Sequence, residues 1–201
     1  MSIVKLNNRS VKDITTIGSI SSLGSLAHIA TQTASSSSSI NFTSGIDSTY
    51  KEYIFYFVNL HVSSNSASIF FNGSIDGGSN YNVTKTTTNF EANHNEADSA
   101  TALTYKTARD LAQSTSDQIL ANEPGNDNDQ CASGFLHLFN PSSTTFVKHF
   151  LTNLNSTYHG DYTVNVHIAG YFNTTSAINA ITFKPDSGTI DSGQILLFGL
   201  N

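Results

Sequence analysis

Three of the seven histidines, His137, His149 and His167, lie in stretches whose alternating pattern is typical of strands. Imidazole is the side chain that most often serves as a general base or metal ligand near neutral pH. A turn at residues 141–145 predicts a hairpin in which His137 lies roughly opposite His149. Because no Asp or Glu stands at matching spacing and no His-X-His occurs, a hydrogen-bonded, half-buried pair is favoured over an ion site.

A polar turn at residues 123–130 is the second place where chemistry-bearing residues cluster, and it contains Asp127 and Asp129. Carboxylate and amide oxygens gathered in one turn are the ligands that calcium prefers. The segment lacks the twelve-residue EF-hand pattern and its late bidentate Glu. A solvated acidic loop is therefore favoured, with calcium binding by Asp127 and Asp129 as the alternative.

Catalytic signatures are missing from the sequence. No Gly-X-Ser-X-Gly elbow occurs between a strand and a helix, and the carboxylates lie in polar loops where nothing raises the pKa of one of them. The single cysteine, Cys131, excludes an intrachain disulfide, and a small buried thiol is favoured over a nucleophile. We therefore expect a protein that is not an enzyme and has no cofactor.

Aromatic residues among amides offer a different chemistry, the binding of sugars. Tyr81, Tyr158 and Tyr162 stand among Asn and Asp residues, and such rings stack on sugars while the amides and carboxylates bind hydroxyls. Packing in a core or an interface accounts for these tyrosines equally well. Sugar binding is therefore an alternative.

The composition restricts the classes of partner. Charged residues make up only 12% of the chain, its formal net charge is −6, and no cluster of Lys and Arg is present. Nucleic acid requires a concentrated basic face, so we expect no nucleic-acid partner. No apolar run is long enough for a signal peptide or a membrane span, so we expect neither Sec-dependent secretion nor membrane insertion.

The elements that must position these residues are strands. About ten short strand patterns separated by turns predict an all-β fold, an antiparallel β-sandwich that is jelly-roll-like. The strongest pattern covers residues 51–60, where Tyr53, Phe55 and Phe57 point to one side. Ile54, Tyr56 and Val58 point to the other side, so both faces of this strand must be covered.

Two segments stand apart from the strand patterns. Residues 1–27 carry scattered apolar residues among Ser, Thr, Gly and Asn, which predicts an extended N-terminal arm before a sandwich domain at residues 28–201. Residues 81–88 resemble a polar strand, and the stretch 89–129 that follows is polar and hard to assign. We interpret it as a long excursion between sheets with room for a short helix at residues 108–113.

Three parts of the chain carry a resemblance: residues 4–10, residues 29–81, which end in Asp76-Gly77-Gly78-Ser79-Asn80-Tyr81, and the C-terminal residues 177–200. They resemble small virion structural and tail-fibre-like proteins of tailed bacteriophages that infect aquatic bacteria or cyanobacteria. The resemblance covers about half of the chain and does not extend to residues 84–130. It implies a virion-anchoring role for the arm residues, which are Val4, Lys5, Leu6, Asn7, Asn8 and Arg9.

The resemblance and the composition predict one function and two alternatives. We expect a structural component of a phage virion, assembled in the host cytoplasm and associated with the tail or its fibres. It would bind other virion proteins, form a homotrimer and contact a host surface glycan through the exposed stretch 89–129. The first alternative is a capsid decoration or cement protein, and the second is a carbohydrate-binding module or lyase.

Overall fold

The computed structural model describes residues 26–201, and these residues form twelve β-strands and no helix. In chain order the strands are β1 (Ala27–Thr33), β2 (Ile40–Phe42), β3 (Glu52–Val62), β4 (Ile69–Ser74), β5 (Lys85–Asn95), β6 (Thr101–Tyr105), β7 (Gln118–Ala121), β8 (Ala132–Phe139), β9 (Lys148–Tyr158), β10 (Tyr162–Phe172), β11 (Ala180–Pro185) and β12 (Ile190–Leu200). The predicted all-β class is confirmed.

The strands form two antiparallel sheets of unequal size. The larger sheet has eight strands in the order β1-β12-β3-β8-β9-β10-β5-β6, and the smaller has four in the order β2-β11-β4-β7. The two sheets share one apolar core in a sandwich-like arrangement. The narrower prediction of a jelly roll is not confirmed, because a jelly roll divides about eight strands into two similar sheets.

Alternation along the strands explains where the core lies. In β3 the residues Tyr53, Phe55 and Phe57 are at most 2% exposed and point toward the smaller sheet. Phe55 meets Phe183 of β11 at a ring-centroid distance of 5.3 Å, and farther along the core Phe71 of β4 meets Phe150 of β9 at 5.2 Å. These edge-to-face contacts join the two sheets.

The larger sheet is wider than the smaller one, so β5 and β6 extend beyond it; we call these two strands the wing. A covering segment, residues 106–118, runs along the edge of β5 beyond β6, where Lys85 and Ser114 exchange backbone hydrogen bonds, and folds over the inner side of the wing. Lys85 Nζ donates to the Ser116 carbonyl at 2.6 Å, and Thr87 Oγ1 donates to Gln118 Oε1 at 2.6 Å. Buried inward positions of β5 are therefore polar, in contrast to those of β3.

The region at residues 81–129 corrects three expectations. The strand expected at residues 81–88 begins only at Lys85 and continues to Asn95. The stretch 89–129 is not a strand-free excursion, since it contains most of β5 together with β6 and β7. No helix forms at residues 108–113, because the backbone amides of Leu111 and Gln113 donate to Thr87 Oγ1 and Thr86 Oγ1 of β5.

Candidate functional site

The larger sheet exposes apolar side chains on the side that points away from the smaller sheet, which we call the outer face. Along a strand, a residue next to a core residue points outward. Val58 and Leu151 are residues of this kind, because they follow buried Phe57 and buried Phe150. They are 42% and 48% exposed. The wing adds three more exposed apolar residues to the same face: Phe90, Leu103 and Tyr105. Exposed apolar surface of this kind is often found at interaction sites.

One residue from each of the eight strands contributes to a continuous line across the outer face, which we call the outer row. Strand pairing places the residues side by side in the order Thr31, Leu196, Tyr56, Phe135, Asn153, His167, Phe90 and Tyr105. Within the row, His167 stacks on Phe90 with centroids 5.0 Å apart and ring planes 8° apart. Cross-strand neighbours interact directly, so the row forms one largely aromatic surface.

Charged side chains are nearly absent from the outer face. Among its strand positions in residues 26–201, the only Asp, Glu, Lys or Arg residues are Glu52 and Asp191, near opposite ends of β3. Each carboxylate contacts a histidine: Glu52 pairs with His137 Nδ1, and Asp191 lies 2.7 Å from His61 Nδ1. The area between them therefore holds no ion that would have to be desolvated when the face is covered.

The structure corrects the expected pairing of His137 with His149. His137 pairs with Leu151 across β8 and β9, and His149 pairs with Tyr171 of β10. The register differs by two residues because Phe146 and Val147 belong to the turn, which makes the β8–β9 connection longer than expected. Both histidines lie on the outer face, where His137 is held by Glu52 and His149 is exposed.

The acidic loop with Asp127 and Asp129 is held by a histidine of β3. Both aspartates are exposed, and His61 Nε2 lies 3.1 Å from the Asp127 carbonyl oxygen. Burial opposes a charge on His61, but hydrogen bonds to Asp191 and Asp127 raise its pKa above the ordinary value. Within residues 26–201, no group of three or more His, Cys, Asp or Glu side chains is placed to hold a metal ion.

The three tyrosines selected from the sequence lie at two places. Tyr81 stands just before β5, and its buried hydroxyl has no hydrogen-bond partner in the described part of the chain. Tyr158 and Tyr162 flank the β9–β10 hairpin, with ring centroids 6.0 Å apart and planes at 89°. These two line a groove on the inner side of the wing, so the structure brings together two of the three candidates.

This groove, which we call the wing groove, has a cavity volume of about 440 Å³. Its floor is the inward side of β5 and β10, and its sides are β6, the β9–β10 hairpin and the start of the covering segment. Its lining includes Glu91, Ala102, Lys106, Asn122, Tyr158 and Tyr162. The volume falls within the range of about 300–1,000 Å³ that is typical of small-molecule sites.

A buried carboxylate organises one wall of the wing groove. The Glu91 side chain is 2% exposed and is paired with Lys106 Nζ at 3.1 Å and with the Arg109 guanidinium. Arg109 also lies 3.8 Å from a Glu123 carboxylate oxygen. Burial raises the pKa of Tyr158, and a hydrogen bond to Glu123 raises it further. Two cations and two carboxylates thus balance each other at the site.

Sequence reasoning missed Glu91, Lys106 and Arg109 because they lie in the stretch interpreted as an excursion. The available signal was the alternation that continues past Thr88, in which polar Asn89 and Glu91 flank apolar Phe90. When the segment that covers them is unknown, polar residues on the inward side of a strand indicate a solvent-exposed side instead of a buried one. The pairing of Glu52 with His137 joins residues 85 positions apart, and no local pattern announces it.

The arm residues Val4, Lys5, Leu6, Asn7, Asn8 and Arg9 lie outside the described residues, and their anchoring role stays a prediction. The described part of the chain contains no helix long and apolar enough to cross a membrane. Comparisons of the chain with models of protein families, with curated proteins and with solved structures found no match.

Proposed function

We propose that this chain is a structural component of a tailed-phage virion, located in the tail or its fibres, and that it acts by assembling through the outer face. The observation that carries the proposal is the outer row, an aromatic surface that crosses a sheet face with only two charged residues. The resemblance of residues 29–81 and 177–200 to virion proteins supports the class. The low charged fraction of 12% fits a chain that is built into a larger particle.

The outer face is suited to a second copy of the same chain. The two carboxylates of the face, Glu52 and Asp191, are each paired with a histidine, and depletion of charge with enrichment of aromatic residues is typical of interface cores. Eight strands spaced about 4.8 Å apart, each contributing about 9 residues, give a face of roughly 1,000 Å². A standard interface requires about 800 Å² per partner, so the face is large enough. We propose a homotrimer with closed symmetry, in which different parts of the outer face contact the two neighbouring copies, because face-to-face packing of identical surfaces would give a dimer.

The test of assembly is a charge placed on the outer face. Leu151→Glu puts a carboxylate at the middle of the face, where covering it costs several kcal/mol because an unpaired charge is desolvated. Analytical ultracentrifugation of the wild-type chain should give about three times the 21.6 kDa chain mass, and the variant should be a folded monomer.

A matched control separates the face from general surface effects. Phe146→Glu removes an apolar residue that is 70% exposed but lies in the β8–β9 turn, away from the outer row. This variant should keep the wild-type mass. A monomeric wild-type chain, or Leu151→Glu and Phe146→Glu having the same effect, would contradict the proposed interface.

The number of copies per particle distinguishes a tail position from a capsid position. A fibre component is present in tens of copies per virion, whereas the first alternative, a capsid decoration or cement protein, is present in hundreds. Quantitative mass spectrometry of purified particles measures this number. A count of hundreds of copies would contradict the tail position and support the capsid alternative.

Incorporation tests the proposed anchor. Removing the predicted arm, residues 1–27, should leave a folded oligomer that no longer enters particles, while the Phe146→Glu chain enters them normally. Particles that contain the truncated chain at the wild-type level would exclude the arm as the anchor.

The second alternative is a carbohydrate-binding module or lyase, and the specific observation that favours it is the wing groove with Tyr158 and Tyr162. Binding and cleavage differ in their effect on a polysaccharide solution. If the purified chain lowers the viscosity of such a solution, the non-enzymatic part of the proposal fails.

A further inference from the structure

We propose that the wing groove binds a neutral saccharide, which lies against Tyr158 and Tyr162 and hydrogen-bonds to Asn122. This goes beyond assembly, because the groove lies on the inner side of the wing and the outer face on the opposite side of the same sheet. Each surface can therefore be blocked without touching the other. Failure of one proposal leaves the other standing.

The tyrosines provide the apolar contact. Tyr158 and Tyr162 are both half-buried and pack partly on the core, which fixes their position. Their rings are nearly perpendicular, at 89°, so they form two adjoining walls instead of one stack. A sugar ring offers C–H groups on its faces, and aromatic rings with a polar end suit a ligand that is apolar on one side and hydrated on the other.

The charges of the groove favour an uncharged ligand. Lys106 and Arg109 are paired with Glu91, and Arg109 also lies near Glu123, so no excess charge of either sign is left for an ionic ligand. The cations still carry more N–H groups than these pairs use, since an ammonium has three donors and a guanidinium five. A cluster that offers N–H donors but has no net charge suits the oxygen atoms of uncharged hydroxyl groups.

A buried acceptor in the groove lacks a donor. Asn122 is only 5% exposed, and its Oδ1 atom accepts no hydrogen bond from any residue that the structure describes. An unpaired buried acceptor is costly, and such atoms are rare in native proteins unless a ligand or water completes them. A sugar hydroxyl donates one hydrogen bond and accepts others, so a bound hydroxyl can supply the donor that Asn122 lacks.

Binding is tested first with the full-length chain. A panel of neutral gluco-, manno- and galacto-oligosaccharides is compared with sialylated and uronic-acid oligosaccharides by saturation-transfer NMR, and the Kd of binders is measured by calorimetry. At least one neutral oligosaccharide should bind. Binding of acidic oligosaccharides alone, or of none in the panel, would overturn the proposal.

An occluding variant locates the site. Ala102→Trp places a large side chain in the groove at an exposed position of β6, so the fold should be retained while saccharide affinity falls by about tenfold or more. Ala112→Trp is the matched control at an exposed position outside the groove. Equal affinity of Ala102→Trp and Ala112→Trp would place the saccharide elsewhere and overturn the assignment.

A second variant distinguishes ligand binding from a structural role of Asn122. Asn122→Leu removes the unpaired acceptor, so the melting temperature should stay unchanged or rise, while saccharide affinity falls by about tenfold. A fall in melting temperature with unchanged affinity would show that Asn122 serves the fold, and the proposed hydrogen bond would be wrong.

Discussion

Strands β3 and β5 belong to the same sheet but bury opposite kinds of residue. The inward side of β3 carries Tyr53, Phe55 and Phe57, whereas the inward side of β5 carries polar residues, among them Lys85 and Glu91. Burial of apolar area stabilises the first region directly. In the second, buried polar groups cost free energy unless each has a partner. The core around β3 thus stabilises the fold, and this stability offsets the free-energy cost of burying polar groups in the wing.

The largest expected effect lies in the β3 region. Phe55→Ala removes a fully buried ring that contacts Phe42 and Phe183, both at 5.3 Å, and should lower the free energy of unfolding by about 3–5 kcal/mol. Urea denaturation in the Leu151→Glu background measures this without a contribution from assembly.

The control for Phe55 lies on the same strand but on the outer face. Val58→Ala changes a residue that is 42% exposed and should alter the free energy of unfolding by less than about 0.5 kcal/mol. Similar losses for the two variants would mean that the two faces of β3 do not differ as described.

A smaller effect is expected from the ion cluster of the wing. Glu91→Gln leaves Lys106 and Arg109 without their buried carboxylate and should cost about 2 kcal/mol. The loss should stay below that of a fully buried pair, because the two cations are 29% and 24% exposed. Glu96→Gln, at an exposed position just beyond β5, should have no measurable effect in the same denaturation experiment. Equal losses would remove the evidence that the wing depends on its polar partners.

The smallest expected effect is a pH dependence from Lys85. Burial lowers the pKa of this amine from 10.5 to about 8, so between pH 8 and pH 10.5 the unfolded chain binds a proton that the folded chain has released. Stability therefore rises with pH in that window. Relative to Lys85→Met, the wild-type chain should gain about 1.5 kcal/mol between pH 8 and pH 9.5. A constant difference would show that the Lys85 amine is not desolvated.

The same contrast explains what the sequence predicts and what it does not. The strand at residues 51–60 was predictable because its aromatic residues alternate over a long run, and the structure confirms it as β3. β6 was missed because all five of its residues are exposed, so no pattern of burial marks it. β7 was missed because it has four residues, all buried, with no alternation.

The candidate site was predictable only in part. Tyr158 and Tyr162 attracted attention as aromatic residues in polar surroundings, and only three residues separate them in the hairpin. Their partners Glu91 and Asn122 come from distant parts of the chain. The contact between them depends on the covering segment folding back over β5, and that path is set by hydrogen bonds such as the one from Leu111 to Thr87.

The edges of the larger sheet affect how long the free chain can persist after synthesis. β1 and β6 are its terminal strands, and open edges are templates on which other chains add strands. On β6 this edge lies next to the uncharged outer face at Leu103 and Tyr105. Aggregation requires two free chains to meet, so its rate rises steeply with their concentration. Under the proposed function, prompt incorporation into the particle would keep the pool of free chains small and so protect the protein from misassembly.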